Sequence, residues 1–335
     1  MTEQREPFDE FFLRVIAPAL APKEAEREAA VRYFAIAAGG GVAVGLLVLV
    51  LTMTRGEPSP AMLFVAGFAV IGGVGIGFGI LGAFASGVKD VLLPLIARYA
   101  GVAFKRHVSD SSSIHQFRAH GLVPGYDRSS FEDFLSGDRA DCPFELFEAH
   151  LEKRHTDSKG RTHYSTCFRG QLLRVLAPME FLGTTVVLRD AGVFNMFIKP
   201  KSELKRVGLV DPKFEKIFEV FGSDQVEARY LLTPDFMERL LKLEDMLSGK
   251  KARAAFHDGE LMIAIEGGNL FEAGSMFKPL VDEARARKVL EEIDTVHGVI
   301  DALMAAQAGR GRPRAGGGEW EKPWERDVAA RPSES

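Results

Sequence analysis

Cysteine is nearly missing: Cys142 and Cys167 are the only two in 335 residues, and no CxxC pair occurs. That excludes a disulfide framework and suits a reducing compartment. Tryptophan is as scarce, with Trp320 and Trp324 both in the EWEKPWE stretch near the C-terminus. Neither charge dominates. Against 46 Asp and Glu stand 42 Lys and Arg, a formal charge of -4, so no basic footprint for nucleic acid exists. HExxH and the phosphate-cradling GxxxxGK[ST] are also absent. Of eight histidines, His115 and His120 are five apart and off one helical face, while His155 and His163 flank TDSKGRT and would be neighbours across a hairpin. Neither cysteine has a local nucleophile signature. The sequence therefore assigns no catalytic residue, no cofactor and no metal ligand.

Charge is missing in two places above all. Tyr33 to Met53 and Ala61 to Ala85 run for 21 and 25 residues without one Asp, Glu, Lys or Arg. At 1.5 Å per residue these reach about 32 and 38 Å, enough for a hydrocarbon core of about 30 Å. Only Thr54 to Pro60, with Gly56, Pro58 and Pro60, separates them, which predicts a transmembrane hairpin over 33–85 with spans 33–53 and 61–85. Lys and Arg number five before the first span, one in the loop and four just after the second, so both termini are expected in the cytoplasm. No ionisable residue lies inside either span, which argues against an ion path. The second span holds seven glycines; Gly73 with Gly77, and Gly75 with Gly79, have small-xxx-small spacing, and Gly41 with Gly45 repeats it in the first. Such faces pack one span on the other or join two chains into a homo-oligomer.

Ahead of the membrane, Phe8, Phe11, Phe12, Val15 and Ile16 share one helical face in residues 1–32. Acidic neighbours disfavour anionic lipid, so this amphipathic segment is expected to pack on the protein's own cytoplasmic domain. Residues 86–106, interrupted by Pro94, read as a juxtamembrane helix. The domain itself, 107–307, is long enough for its own core. Phe144–Lys153, His163–Val175, Gly183–Arg189 and Phe214–Phe221 read as strands. Ala252 to Glu266 reads as a hairpin about Asp258-Gly259 in a type I′ turn. Asp224 caps a short helix with Glu227 closing a capping box; Thr233 and Pro234 open the next, with Phe236, Met237, Leu240, Leu241 and Leu247 as its buried stripe. A last helix over Pro279–Ala306 carries the seam Ala286, Val289, Ile293, Val296, Ile300 and Leu303. The class is α+β with a mainly antiparallel sheet and packed helices. Residues 308–335 have the composition of a disordered tail, in which Trp320 and Trp324 suit a short motif for a protein partner.

Two features invite chemistry. Glu132, Asp133, Asp138 and Asp141 fall in an acidic loop, 131–141, of the kind that holds a divalent cation or lies solvated. Arg229 and Tyr230 are groups that recognise anions. Around them the sequence resembles a known family: FEKIFEVFGSDQVEARYLLTPDFMERL at 214–240, FEDFLSG at 131–137, FRG at 168–170, LGTTVVLRD at 182–190 and NLFE at 269–272 follow the order of the bacterial domain of unknown function 3137 family. The octet EARYLLTP is the most specific part, placing Asp224, Glu227, Arg229, Tyr230, Thr233 and Pro234 in the family motif. The resemblance implies paired N-terminal spans in the bacterial inner membrane and a cytoplasmic domain, and supplies no reaction or cofactor. The expected protein is a membrane-anchored module, integral to the lipid bilayer, that binds or scaffolds another protein. The alternative is a tethered hydrolase or small-ligand sensor using the acidic loop or the Arg229 surface.

Overall fold

A computed structural model describes residues 6–54, 60–108, 113–189, 203–209, 211–246, 251–267, 271–307 and 312–313. Short helical turns, including the π-turn Phe12–Ile16, lead into helix α1 (Glu24–Thr54), which lies against helix α2 (Pro60–Ala100). Each is long and apolar enough to cross a membrane, and only 6% of the most apolar window of each is buried. Glycine sets their spacing. A Cβ on Gly41 would come 2.5 Å from the Ala69 carbonyl, and one on Gly73 would come 2.8 Å from Gly41 Cα. Gly77 admits the Phe34 ring in the same way, whereas Gly75 and Gly79 face open space. One pair in the second span therefore serves contact within the chain, and the other points outward.

Residues 86–100 are not a separate juxtamembrane helix; α2 continues through them without a break. Pro94 is tolerated because it and Asp90, whose carbonyl loses its helical donor, both lie on the exposed side. The opposite side, with Val88, Leu92, Leu93, Ile96, Ala97 and Ala100, enters the core of the domain. Strand β1 (Ala103–Val108) follows at once.

Among the described residues the domain is built on a nine-stranded sheet, all pairs antiparallel, in the order β1-β2-β3-β4-β10-β9-β6-β8-β7. Its long ribbon is β2 (Arg128–Arg139), β3 (Cys142–Thr156) and β4 (Thr162–Leu176); the rest are β6 (Thr185–Arg189), β7 (Lys205–Val207), β8 (Phe218–Gly222), β9 (Lys251–His257) and β10 (Glu260–Glu266). The turn Asp258-Gly259 has both φ values positive, 49° and 73°, as a type I′ hairpin requires. Alternation splits the side chains between two layers. One face packs on the inner half of α2, on helix α6 (Pro234–Met246) and on helix α7 (Glu283–Gln307), whose six seam residues are all buried. The other is a phenylalanine cluster, Phe117, Phe131, Phe134, Phe147 and Phe168, closed by helix α3 (Ile114–Ala119). Each buried Phe contributes up to about 3 kcal/mol. Phe8, Phe11, Phe12 and Ile16 of the N-terminal segment are buried too, with Phe8 and Phe11 against Tyr99 of α2.

Four further expectations change. The stretch 131–141 is no loop: β2 runs through it, and the hairpin turns at Ala140-Asp141, with φ of 54° and 59° but no glycine to advertise it. Residues 214–221 divide into a helical turn α4 (Pro212–Glu215), capped by the Asp211 carboxylate with Pro212 in the first position, and strand β8. Helix α5 (Gln225–Leu231) is capped by Asp224, but Glu227 does not reach back to close a box; its carboxylate accepts the Leu182 N–H across the fold. Within the expected tail, Arg312–Pro313 pair with β5 (Met179–Glu180), forming β11. Trp320, Trp324 and Leu247 lie outside the described residues.

Candidate functional site

A cleft of about 580 Å³ opens on the phenylalanine face of the sheet, a size that suits a small ligand. The end of α3 (Arg118–Gly121), the segment Phe181–Thr184, Val186 and Leu188 of β6, Ser223 and the turn His257-Asp258 enclose it. Its polar groups are held by the backbone. Thr184 N–H donates to Ser223 Oγ at 2.9 Å, the Ser223 N–H returns to the Thr184 carbonyl at 2.9 Å, and Thr184 Oγ1 meets His257 Nδ1 at 2.8 Å. The His120 ring sits 4.7 Å from that of His257, tilted by 52°. A Cβ on Gly183 would meet Ser223 Oγ and displace it from the Thr184 N–H. Burial pushes the Glu227 carboxyl behind this wall above its ordinary value, against the Leu182 and Gly183 N–H groups that favour its charge. Two imidazoles and two hydroxyls thus line the cleft together with Arg118, Glu203 and Asp258, a mixed set of donors and acceptors suited to a small polar ligand. No group of three or more His, Cys, Asp or Glu arranged to hold a metal ion occurs among the described residues.

The acidic residues expected to act together are separated. Asp138 and Asp141 are exposed at the β2–β3 turn, and neither they nor Glu132 line the cleft. Asp133 is buried at a bulge where it and Phe134 both stand opposite Phe147. Its positive φ of 53° turns the carboxylate onto Lys89 Nζ of α2, with Arg106 Nη1 at 3.5 Å. Burial raises the Asp133 carboxyl, with Lys89 and Arg106 opposing. Close by, Glu148 pairs with Arg169 at 3.2 Å, and Glu292 of α7 accepts the Phe271 N–H at 2.7 Å. This polar knot ties the foot of α2 to the sheet. Lys89 and Asp133 are 44 residues apart, and no local pattern pairs them.

The family-motif residues split between scaffold and surface. Asp224 and Thr233 cap α5 and α6, Pro234 opens α6, and Arg229 donates to the Gly208 carbonyl at 3.2 Å and to Gln225. Val226 and Tyr230, one turn apart on α5, are 60% and 48% exposed. Leu182, bonded through its N–H to Glu227, is 72% exposed. Neither Val226, Leu182, His257 nor Ser223 stood out in the sequence; the GTT of LGTTVVLRD was the nearest signal to the cleft. His155 and His163 do face each other across the β3–β4 ribbon, rings 5.4 Å apart. Cys142 is buried, its thiol pushed up to about 12 by burial first and by nearby carboxylates second, so it is no nucleophile at neutral pH.

Residues 166–304 match the family model described as Protein of unknown function (DUF3137). The match supports the resemblance to that family over this part of the chain. The match takes in the EARYLLTP octet, the cleft's Thr184, Ser223 and His257, and α7 almost to its end; the FEDFLSG stretch precedes it. No curated protein matches the chain. Among solved structures, the crystal structure of the mycobacterial trehalose monomycolate transport factor A, TtfA, is similar over 65% of this chain and 96% of that one, with 8% identity and a TM-score of 0.35.

Proposed function

We propose that this protein is an integral scaffold of the bacterial inner membrane: α1 and α2 span the bilayer, both termini and the DUF3137 domain face the cytoplasm, and the domain binds another protein. The observation that carries this reading is the continuity of α2, which leaves the apolar hairpin and becomes a core helix of the domain without a joint. A domain fused to its anchor in this way is presented at a fixed height and orientation. The five, one, four distribution of Lys and Arg supports the cytoplasmic side. Leu182, Val226 and Tyr230, exposed apolar groups in and beside the most specific family motif, support a protein-binding face. Gly75 and Gly79, unused within the chain, suit contact with a second copy, and the Trp320–Trp324 segment suits a further partner.

Fractionation tests the anchor: the full-length protein should pellet with membranes after carbonate washing and leave them only in detergent. A reporter fused after Ser335 should be active when it is one that works only in the cytoplasm. A photo-crosslinking amino acid at position 226 or 230 should give discrete adducts in membranes, with or without residues 314–335. Release by carbonate, or an absence of adducts at both positions, overturns the corresponding half of the reading. A small-ligand sensor is the second reading, and the paired His120 and His257 beside Thr184 favour it. Under that reading a ligand-induced rise in melting temperature is lost in His257→Ala.

A further inference from the structure

The segment 271–282, ahead of α7, sits beside the hairpin, while the cleft's His257-Asp258 turn is at the opposite end of β10. Its apolar residues alternate in direction: Met276 and Leu280 are buried, while Phe277 is 53% exposed and Val281 is exposed with it. The loop is clamped to the base of α1. Arg27 Nη1 donates to the Met276 carbonyl at 3.0 Å, and Glu24 Oε2 accepts the Leu280 N–H at 2.9 Å. Behind it, Arg285 Nη2 donates to the Ser275 and Pro279 carbonyls at 2.9 and 3.0 Å. Phe277 is therefore held outward by four hydrogen bonds on its neighbours.

Its height along the hairpin is set by one contact. The Phe277 ring meets Phe34 edge to face at 5.3 Å, and Phe34 meets Phe78 of α2 at 5.1 Å. From Phe34 to the end of α1 at Thr54 is 20 residues, about 30 Å of helix, which is the thickness of the hydrocarbon core. Phe34 thus marks the domain-side edge of the hydrocarbon, and Phe277 lies at the same level. Tyr33, exposed with Arg32 over its ring at 6.0 Å, sits there as well. Aromatic rings at this level and a basic side chain beside them, here the exposed Lys278, are what the boundary between acyl chains and headgroups takes up.

We infer that the Ser275–Val281 loop is a second, non-spanning membrane contact, with Phe277 and Val281 entering the headgroup–acyl boundary of the bilayer and Lys278 reaching its anionic headgroups. It rests on the spanning reading of α1 and α2, and it adds a third point of support, so that the domain is braced against the membrane surface and cannot pivot on the hairpin alone.

Tryptophan placed at single positions tests this in the full chain, after Trp320→Phe and Trp324→Phe remove the natural ones. The protein is reconstituted in phosphatidylethanolamine and phosphatidylglycerol vesicles with acyl chains brominated near the headgroup. Phe277→Trp and, independently, Val281→Trp should emit at shorter wavelength than a water-exposed indole and lose most of their fluorescence to the bromines. Asp141→Trp, exposed at the β2–β3 turn by the end of α2 remote from the hairpin, should emit as in water and keep its intensity. Phe68→Trp, within α2, reports the hairpin. If Phe68→Trp is quenched by deeply brominated lipid while Phe277→Trp and Val281→Trp stay wet, the loop contact is wrong and the spanning reading stands. If Phe68→Trp also stays wet, both fall.

Discussion

The two halves of α2 are one unbroken helix, the outer half free of charge and the inner half amphipathic, and they live in different surroundings. Between Phe64 and Ile76 the large side chains Phe64, Phe68, Ile71 and Ile76 are exposed, and α1 is met by Gly73 and by Val70 against Gly45, with the Phe78 ring on Phe34 just beyond. From Val88 to Ala100 the order is reversed: Val88, Leu92, Leu93 and Ile96 are buried, and Asp90, Pro94 and Arg98 take the outside. In the first half the backbone touches a neighbour and the large apolar side chains face outward, the pattern of a helix suited to lipid. The second half is an ordinary amphipathic core helix. One rod can serve both ends because the hydrophobic effect is indifferent to what replaces water, acyl chain or protein core. Lys89 marks the change, the first charge after the run and already buried on Asp133.

That contrast can be broken in graded steps. The largest effect is expected at the changeover: Lys89→Met leaves the Asp133 carboxylate buried without its nearest cation, a loss of about 3–5 kcal/mol, with Arg106 keeping it toward the lower figure. Lys89→Met with Asp133→Asn should recover part of it. Unfolding by denaturant in detergent micelles measures both. Next, Leu92→Ala in the inner half should cost about 2–5 kcal/mol through its cavity, while Phe68→Ala in the outer half should leave the same midpoint almost unmoved. Equal losses at the two positions would show that the outer half is also packed in protein. A smaller difference is expected among the glycines. Gly73→Val, which must displace Gly41, should lose about 1–3 kcal/mol, and Gly75→Val, facing open space, should be tolerated in the monomer. Loss of a crosslinked dimer in Gly75→Val alone would assign that outer pair to contact between chains.

The smallest effect concerns pH. Burial raises the Glu292 carboxyl above its ordinary value, more than the Phe271 N–H lowers it. A carboxyl with a folded-state pKa above its unfolded one, about 4.3, contributes stability below that value and loses it as pH rises through the folded value. Glu292→Gln keeps an acceptor for Phe271 N–H and removes the charge. Its melting temperature should equal or exceed the parent's at neutral pH, and the fall on the acid side of neutrality should flatten. A parent and variant that lose stability in parallel across that window would place the dependence elsewhere.

The charge-free runs, the Asp258-Gly259 turn, the seam of α7 and the Asp224 and Thr233 caps were legible because each is a local signal: an unbroken length, a dipeptide, a period, a cap. The acidic stretch 131–141 was misread for the same reason. Strand β2 holds Glu132, Asp133 and Asp138 because a bulge buries one of them on a lysine from another element, and its tight turn uses Ala140-Asp141 in place of glycine. The cleft was invisible since its walls come from α3, β6, the Ser223 turn and the β9–β10 hairpin, none of which carries a motif alone.

The order of side chains by itself determined that two rods of apolar helix precede an antiparallel α+β domain, because length without charge, alternation and turn chemistry act over a few residues at a time. Tertiary structure alone decided which half of α2 meets protein, which glycines are spent on its partner, where Lys89 finds its carboxylate and how high Phe277 stands. Those outcomes depend on groups tens to hundreds of residues apart meeting at ångström distances, and a one-dimensional pattern contains no term for that.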